Sequence, residues 1–273
     1  MHGFPSIESV ILSVGNRDIP VRISGSGQPL LLLHGYPLDG RMWDRLVPLL
    51  ARDHLCVAPD FRGFGRCAEE DFSFSMADLA DDCCKMLDTL QIRQPAVVCG
   101  LSMGGYVAMQ LVERHAARLA GLVLSNTRAN ADDDLGVNAR HASAKTALMD
   151  GVGSVVTPML GKMLSPHTVQ YQPQVVELVR AMMVGTCAST IAWAQLAMAT
   201  RLDFRLRMRD WKLPVICVAG AEDTIAPIKV MEEMSQDLPN SEMQVVENSA
   251  HLTPLERPDE FAAIVRNATN AWR

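Results

Sequence analysis

The chain has 273 residues, a formal net charge of −6 and 48% hydrophobic residues. The hydrophobic content excludes a disordered chain, and the length suits one large domain, or one domain with an insertion, around a well-buried core. The acidic balance argues against nucleic-acid binding, which needs clustered lysine and arginine. One basic cluster alternates with aspartates, and we expect it to be a solvated, salt-bridged face: Arg201, Arg205, Arg207 and Arg209.

The cysteine pattern and the N-terminal sequence predict the cellular compartment of the protein and the absence of bound groups. Seven cysteines without a C-x-x-C pair predict neither a disulfide framework nor a zinc site. We therefore expect no metal. Gly63 and Gly65 do not complete a dinucleotide fingerprint, so no cofactor is expected either. Residues 1–15 lack the pattern of a secretory signal, and no run of about 18 apolar residues occurs. We therefore expect a cytoplasmic protein with neither a membrane nor a nucleic acid as partner.

Apolar runs separated by helical patterns predict an α/β fold. Residues 7–14 and 18–24 flank Gly15-Asn16 as the two arms of an antiparallel hairpin. Helical patterns separate the later strands, which predicts a mostly parallel, doubly wound sheet of eight strands that begins with this hairpin. The further predicted strands are residues 30–33, 55–58, 96–99, 121–125, 215–219 and 243–246.

A long insertion precedes the seventh predicted strand. About 90 residues separate residues 125 and 215, whereas a βαβ unit needs only about 30. Apolar stripes predict helices in this insertion, which would cover the carboxyl edge of the sheet. We predict a core domain of residues 1–127 and 209–273 with a helical cap of residues 128–208. Met159 and Met163 either fill the core or line an adaptable acyl pocket under the cap.

Three polar residues follow predicted strands in the order expected of a catalytic triad. Ser102 is the centre of a G-x-S-x-G turn, whose glycines let strand and helix pack closely. Asp223 follows the strand at 215–219, and His251 follows the strand at 243–246. Because parallel strands end at one edge of the sheet, these three side chains are predicted to meet there.

These motifs resemble those of the α/β-hydrolase fold superfamily over nearly the whole chain. Two further segments, His34-Gly35-Tyr36-Pro37 and Leu124-Ser125-Asn126-Thr127, are most similar to small esterases, non-haem perhydrolases and 3-oxoadipate enol-lactonase-like proteins. Ala250 stands where relatives have a glycine before the histidine. The resemblance implies a triad of Ser102, Asp223 and His251, with the backbone N–H groups of Tyr36 and Met103 as the oxyanion hole.

The resemblance implies a serine hydrolase that cleaves carboxylic esters of short to medium acyl chain through an acyl-enzyme on Ser102. Lactone opening, C–C bond hydrolysis, acyl transfer to peroxide and non-catalytic small-molecule binding are the alternatives. The expected partner is a small ester or lactone. His34 and Arg128 are further candidate substrate contacts; Arg128 lies either in solvent or beneath the cap, where it would bind an acidic substrate.

Overall fold

The computed structural model describes residues 6–15, 17–67 and 73–272. Its centre is one sheet in the order β1-β2-β4-β3-β5-β6-β7-β8, where β2 pairs antiparallel with β1 and β4 and all later neighbours are parallel. This confirms the predicted mostly parallel sheet with its antiparallel hairpin, although Asn16 of the predicted turn lies outside the described residues. The strands are β1 (Glu8–Val14), β2 (Arg17–Gly25), β3 (Gln28–Leu33), β4 (His54–Pro59), β5 (Ala96–Leu101), β6 (Leu119–Ser125), β7 (Val215–Gly220) and β8 (Ser241–Val246).

Helices connect the parallel strands and cover the sheet. Those of the chain in order are α1 (Val47–Leu50), α2 (Met76–Thr89), α3 (Met103–His115), α4 (Asp134–Asp150), α5 (Val152–Met163), α6 (Pro166–Tyr171), α7 (Pro173–Val184), α8 (Ala188–Ala199), α9 (Ile228–Asp237), α10 (Thr253–Glu256) and α11 (Pro258–Ala271). Helix α2 packs on α3, and α1 packs on α11. Every residue of β5 is buried, which explains why its sequence is a continuous apolar run rather than an alternating one.

The strand order creates a crevice beside β3. The connection from β3 leads to β4 on one side, and the connection from β4 then leads to β5 on the other. Right-handed crossovers in opposite directions put α1 on one face of the sheet and α2 and α3 on the other. The loops after β3 and β5, which lead to α1 and α3, therefore turn toward opposite faces and leave a crevice between them. Ligands of such sheets bind in the crevice at the carboxyl ends of these strands.

The segment between β6 and β7, which we call the cap, contains α4 to α8. Helix α4 packs on α8, and α5 packs on α7. The predicted stripes on α5 and α7 point partly into the protein, where Val156, Met163, Val179 and Met182 are buried. The division into domains at residues 127 and 209 stays a prediction.

No single helix in the described ranges is long and apolar enough to cross a membrane. Helices α7 and α8 meet those criteria only when taken together, and they are bent by 90° at the break between them.

Candidate active site

Ser102 occupies a strained turn between β5 and α3. Its backbone has φ 53° and ψ −111°, a conformation that non-glycine residues rarely adopt. A Cβ added at Gly100 would lie 2.4 Å from the Gly104 carbonyl oxygen, and one added at Gly104 would lie 2.2 Å from the Leu33 carbonyl oxygen. Both glycines of the motif are therefore required by backbone contacts. The Ser102 amide donates to the Ser125 carbonyl at 3.0 Å, which ties the turn to β6.

Asp223 and His251 meet where β7 and β8 end. His251 Nδ1 lies 2.8 Å from Asp223 Oδ2, which also accepts a hydrogen bond from Asn126 Nδ2 at 2.9 Å. Burial alone would raise the pKa of Asp223, but the hydrogen bonds from His251, Asn126 and the Ala226 amide hold its pKa below the ordinary value. The carboxylate is thus ionised and can only accept. The shared proton therefore belongs to Nδ1, which leaves Nε2 as a lone-pair acceptor.

That Nε2 atom is buried and has no hydrogen-bond partner among the described residues, Ser102 included. A buried nitrogen left unpaired is costly, and exceptions of this kind call for an explanation. His251 and Ser102 line the same cavity. Hydrogen bonds at such sites often tighten only when a substrate is in place. The arrangement is able to take a proton from a hydroxyl group placed in the cavity.

The cavity lies between the core and the cap and has a volume of about 190 Å³. A larger one, of about 550 Å³, opens at the amino ends of β7 and β8 and contains none of the predicted site residues. The segment between β6 and β7 contributes Asn126, Arg128, Arg140, Met159, Gln195 and Met198 to the smaller cavity, and the rest of the chain contributes Tyr36, Ser102, Tyr106, Ile225, Ala226 and His251.

Two backbone amides beside Ser102 are free to donate. Met103 is the first residue of α3, where an N–H group has no partner within the helix. The Tyr36 amide likewise donates to no other described residue. The loop that carries Tyr36 contacts the elbow, since a Cβ added at Gly35 would lie 3.5 Å from Ser102 Cβ.

The sequence of the chain matches a known family, whose fold agrees with this geometry. A sequence profile of the α/β-hydrolase fold matches residues 28–258. The chain belongs to this family.

Several relatives span almost the whole chain. A thermophilic esterase from Thermogutta terrifontis, solved with malate bound, is 30% identical, with a TM-score of 0.90 over 98% of this chain and 99% of its own. The 3-oxoadipate enol-lactonase 1 of Acinetobacter baylyi is 26% identical over 91% of both chains. The pimeloyl-[acyl-carrier protein] methyl ester esterase of Neisseria meningitidis is 27% identical over 86% of this chain and 91% of its own.

Of the four predicted substrate contacts, Met159 and Arg128 line the cavity of this hydrolase, and the other two do not. His34 is fully buried in the core, where its Nε2 accepts a hydrogen bond from the Phe61 amide at 3.0 Å and burial lowers its pKa. Met163 is also fully buried, and its carbonyl oxygen accepts a hydrogen bond from the His251 amide at 3.2 Å. Core packing thus holds both side chains away from the cavity.

The expectation of a solvated face is wrong for Arg201. Its side chain is 1% exposed, lies 4.7 Å above the Tyr106 ring and donates to Asp132 at 2.6 Å. Arg205, Arg207 and Arg209 do form exposed ion pairs, with Asp203, Glu113 and Asp237 respectively.

Sequence reasoning also missed the polar wall that the cap supplies to the cavity. Arg140 donates to Gln195 at 3.0 Å and forms an ion pair with Asp132. Although burial opposes it, the hydrogen bonds from Arg201 and Arg140 lower the pKa of Asp132 to about 2. The available signal was Gln195 itself, a large polar residue in the otherwise apolar second half of α8.

No group of three histidine, cysteine, aspartate or glutamate residues in the described part of the chain is arranged to hold a metal ion, and none of the seven cysteines, which all lie in that part, forms a disulfide bond.

Proposed function

We propose that this α/β hydrolase is a serine esterase that cleaves small carboxylic esters through an acyl-enzyme on Ser102. The observation that carries the proposal is the His251–Asp223 pair, joined at 2.8 Å, whose free Nε2 is buried beside the cavity that Ser102 lines. The named esterases among the relatives support the same reaction class. The cavity volume of about 190 Å³ favours short acyl groups.

The reaction proceeds in two halves. Ser102 Oγ attacks the acyl carbonyl carbon while His251 Nε2 takes the hydroxyl proton, and Asp223 stabilises the imidazolium that forms. The amides of Tyr36 and Met103 stabilise the negative oxygen of the tetrahedral intermediate. His251 gives its proton to the departing alkoxide, which leaves as the alcohol. Water then attacks the acyl-enzyme with His251 again as the base, and the acid is released.

Lactone opening is the second candidate. A lactone is a cyclic ester, so the same residues would perform the same steps, with the alcohol held on the acyl chain. The similarity to the enol-lactonase of Acinetobacter baylyi favours this candidate. Turnover of small lactones far above that of matched open-chain esters would make it the leading one.

We expect Ser102→Ala to lower kcat for a short ester by at least about 10³-fold, because it removes the nucleophile and almost no packing volume. A fluorophosphonate probe should label the wild-type protein at Ser102 and leave this variant unlabelled. The measurements are steady-state hydrolysis of 4-nitrophenyl butyrate and mass spectrometry of the labelled protein.

Ser154→Ala is the matched control, since Ser154 is exposed on α5 and lies outside the cavity. It should hydrolyse the ester and take up the probe as the wild type does. A Ser102→Ala protein that keeps more than a few per cent of the activity contradicts the proposed mechanism, and a wild-type protein that neither turns over esters nor reacts with the probe would favour a binding protein.

A further inference from the structure

Arg128 is a cation in the cavity that has no acidic partner within the described part of the chain. Three arginines surround the site: Arg140 and Arg201 both form ion pairs with Asp132, and Asp223 is engaged by His251. Arg128 forms no ion pair with any residue that the structure describes. Arg128, Arg140 and Arg201 thus carry three positive charges against the two negative charges of Asp132 and Asp223, which leaves a net charge of one positive unit among these five residues.

The surroundings of Arg128 fix it in this position. It is the third residue after β6, is partly buried, and donates from Nη2 to the Ile225 carbonyl oxygen. A guanidinium has five N–H donors in a planar fork, so most of its donors remain available to a ligand. Partial removal from water strengthens its attraction to an anion, and the fork matches the two oxygens of a carboxylate.

We propose that the substrate of this esterase carries a free carboxylate, which Arg128 binds while the ester or lactone carbonyl lies at Ser102. The proposal rests on the proposed function, because it assigns the substrate class of that same site. Arg128 and Ser102 line one cavity of about 190 Å³, so the carboxylate and the reacting carbonyl belong to one compact molecule. Hemiesters of short dicarboxylic acids, acyl esters of short hydroxy acids and carboxylated lactones fit this description.

Two pairs of substrates with matched shape test the proposal for either orientation of the substrate. In the first pair the acyl group carries the charge: 4-nitrophenyl hydrogen glutarate against 4-nitrophenyl 5-methylhexanoate, where a branched alkyl end replaces the carboxylate. In the second pair the alcohol carries it: 4-acetoxybutanoate against 4-methylpentyl acetate. We expect the wild-type enzyme to show the higher kcat/KM for the acidic member of at least one pair.

The ratio of kcat/KM for the acidic and neutral members should fall about 10- to 100-fold in Arg128→Met, which keeps the length of the side chain and removes its charge. Arg128→Lys keeps the charge without the fork and should give an intermediate ratio. Arg180→Met is the control, because it removes the same charge from an exposed residue of α7 outside the cavity. It should leave the ratio as in the wild type.

A wild-type enzyme that prefers the neutral member of both pairs overturns the proposal without any variant, as does an unchanged ratio in Arg128→Met. Should that variant not fold, competitive inhibition of the wild type decides: glutarate must inhibit hydrolysis of the neutral ester more strongly than the uncharged glutaramide does. Failure of the proposed function looks different, since the wild type would then hydrolyse neither member of either pair.

Discussion

Asp223 has both carboxylate oxygens engaged by hydrogen bonds. Oδ2 accepts from His251 and Asn126, and Oδ1 accepts from the amides of Ile225 at 2.7 Å and Ala226 at 3.0 Å. Four N–H donors therefore point at the two oxygens of Asp223, and the site requires a group that accepts four hydrogen bonds and donates none. Asparagine has nearly the same shape but presents two donors of its own on one side.

We therefore expect Asp223→Asn to lower kcat by about 10³- to 10⁴-fold, since an amide facing His251 places the imidazole proton on Nε2 and removes the base. Steady-state kinetics with a short ester and a thermal melt check the two parts of this statement, because the variant should remain folded.

Asp132 follows β6 and would be the alternative acid if Asp223 were not the partner of His251, but the structure binds it to Arg140 and Arg201. Asp132→Asn should therefore act on KM and on stability rather than on proton transfer. If Asp223→Asn were harmless and Asp132→Asn reduced kcat to background, the assignment of the acid would be wrong.

At this scale the sequence is informative wherever a strand ends. Ser102, Asp223 and His251 each follow a parallel strand closely, and the common edge of the sheet brings them near each other whatever the helices do. The inward turn of Arg201 depends on Asp132, a residue 69 positions away. His34 is likewise directed by Phe61, so neither contact is visible in a local pattern.

At the scale of elements, hydrogen bonds through Glu256 and Ser165 connect the loop that carries His251 to the cap. Glu256 of α10 is 1% exposed; its Oε1 accepts from the Ala250 amide at 2.8 Å and its Oε2 from the Ser165 amide at 2.7 Å. The Ser165 hydroxyl also donates to the Asn248 carbonyl at 3.2 Å. One buried carboxylate thus joins the residue before His251 to the connection between α5 and α6.

We expect Glu256→Gln to lower kcat about 10- to 100-fold with a smaller change in KM, because the new NH₂ group faces a backbone N–H and displaces the histidine loop. The pH profile of kcat/KM should shift as well, which loss of packing alone would not produce. Steady-state kinetics over a range of pH, beside a thermal melt, measure both effects.

Glu260→Gln serves as the control, since Glu260 is exposed on α11 and, among the residues that the structure describes, pairs only with Arg257 at 3.6 Å. It should behave as the wild type. Equal kinetics for both variants would mean that Glu256 does not position His251.

The cap helices show that a sequence predicts the existence of a helix better than it predicts which face of the helix lines a cavity. Helices α5 and α7 carry apolar stripes, and their existence is readable from the spacing of those residues. Helix α8 is apolar around most of its circumference, so no stripe reveals which of its faces meets the cavity. The position of Gln195 follows only from packing against α4.

At the scale of the whole molecule, the cavity exists because the cap lies over the carboxyl edge of the sheet. Its residues come from both parts, with Met159 and Met198 supplying flexible apolar surface and Tyr36 and Tyr106 supplying aromatic surface. The cavity thus has two aromatic side chains in its wall although only 5% of the residues of the chain are aromatic. A small mixed enclosure of this kind limits the size of an acyl group.

Accordingly, kcat/KM for 4-nitrophenyl esters should rise or hold from about two to about six acyl carbons and then fall, since each buried methylene contributes up to about 0.8 kcal/mol only until the space is full. Met159→Ala should move the optimum to longer chains. A panel of straight-chain esters measures this for both proteins.

Met149→Ala is the appropriate control, because Met149 is 74% exposed on α4. It should leave the optimum in place. A maximum at about twelve carbons or more would contradict the small enclosure and indicate a lipase-like enzyme.

The backbone of Ser102 has a consequence for how this chain evolves. A residue held in such a conformation costs about 1 to 3 kcal/mol, whereas a whole domain is stable by only about 5 to 15 kcal/mol. A glycine would adopt the same turn without strain, so selection for stability alone favours glycine over serine at this position. Under the proposed function, serine stands at this position because of the chemistry of its hydroxyl group and at a cost in stability. A copy of the chain that no longer used the hydroxyl group would gain stability by mutation of Ser102 to glycine.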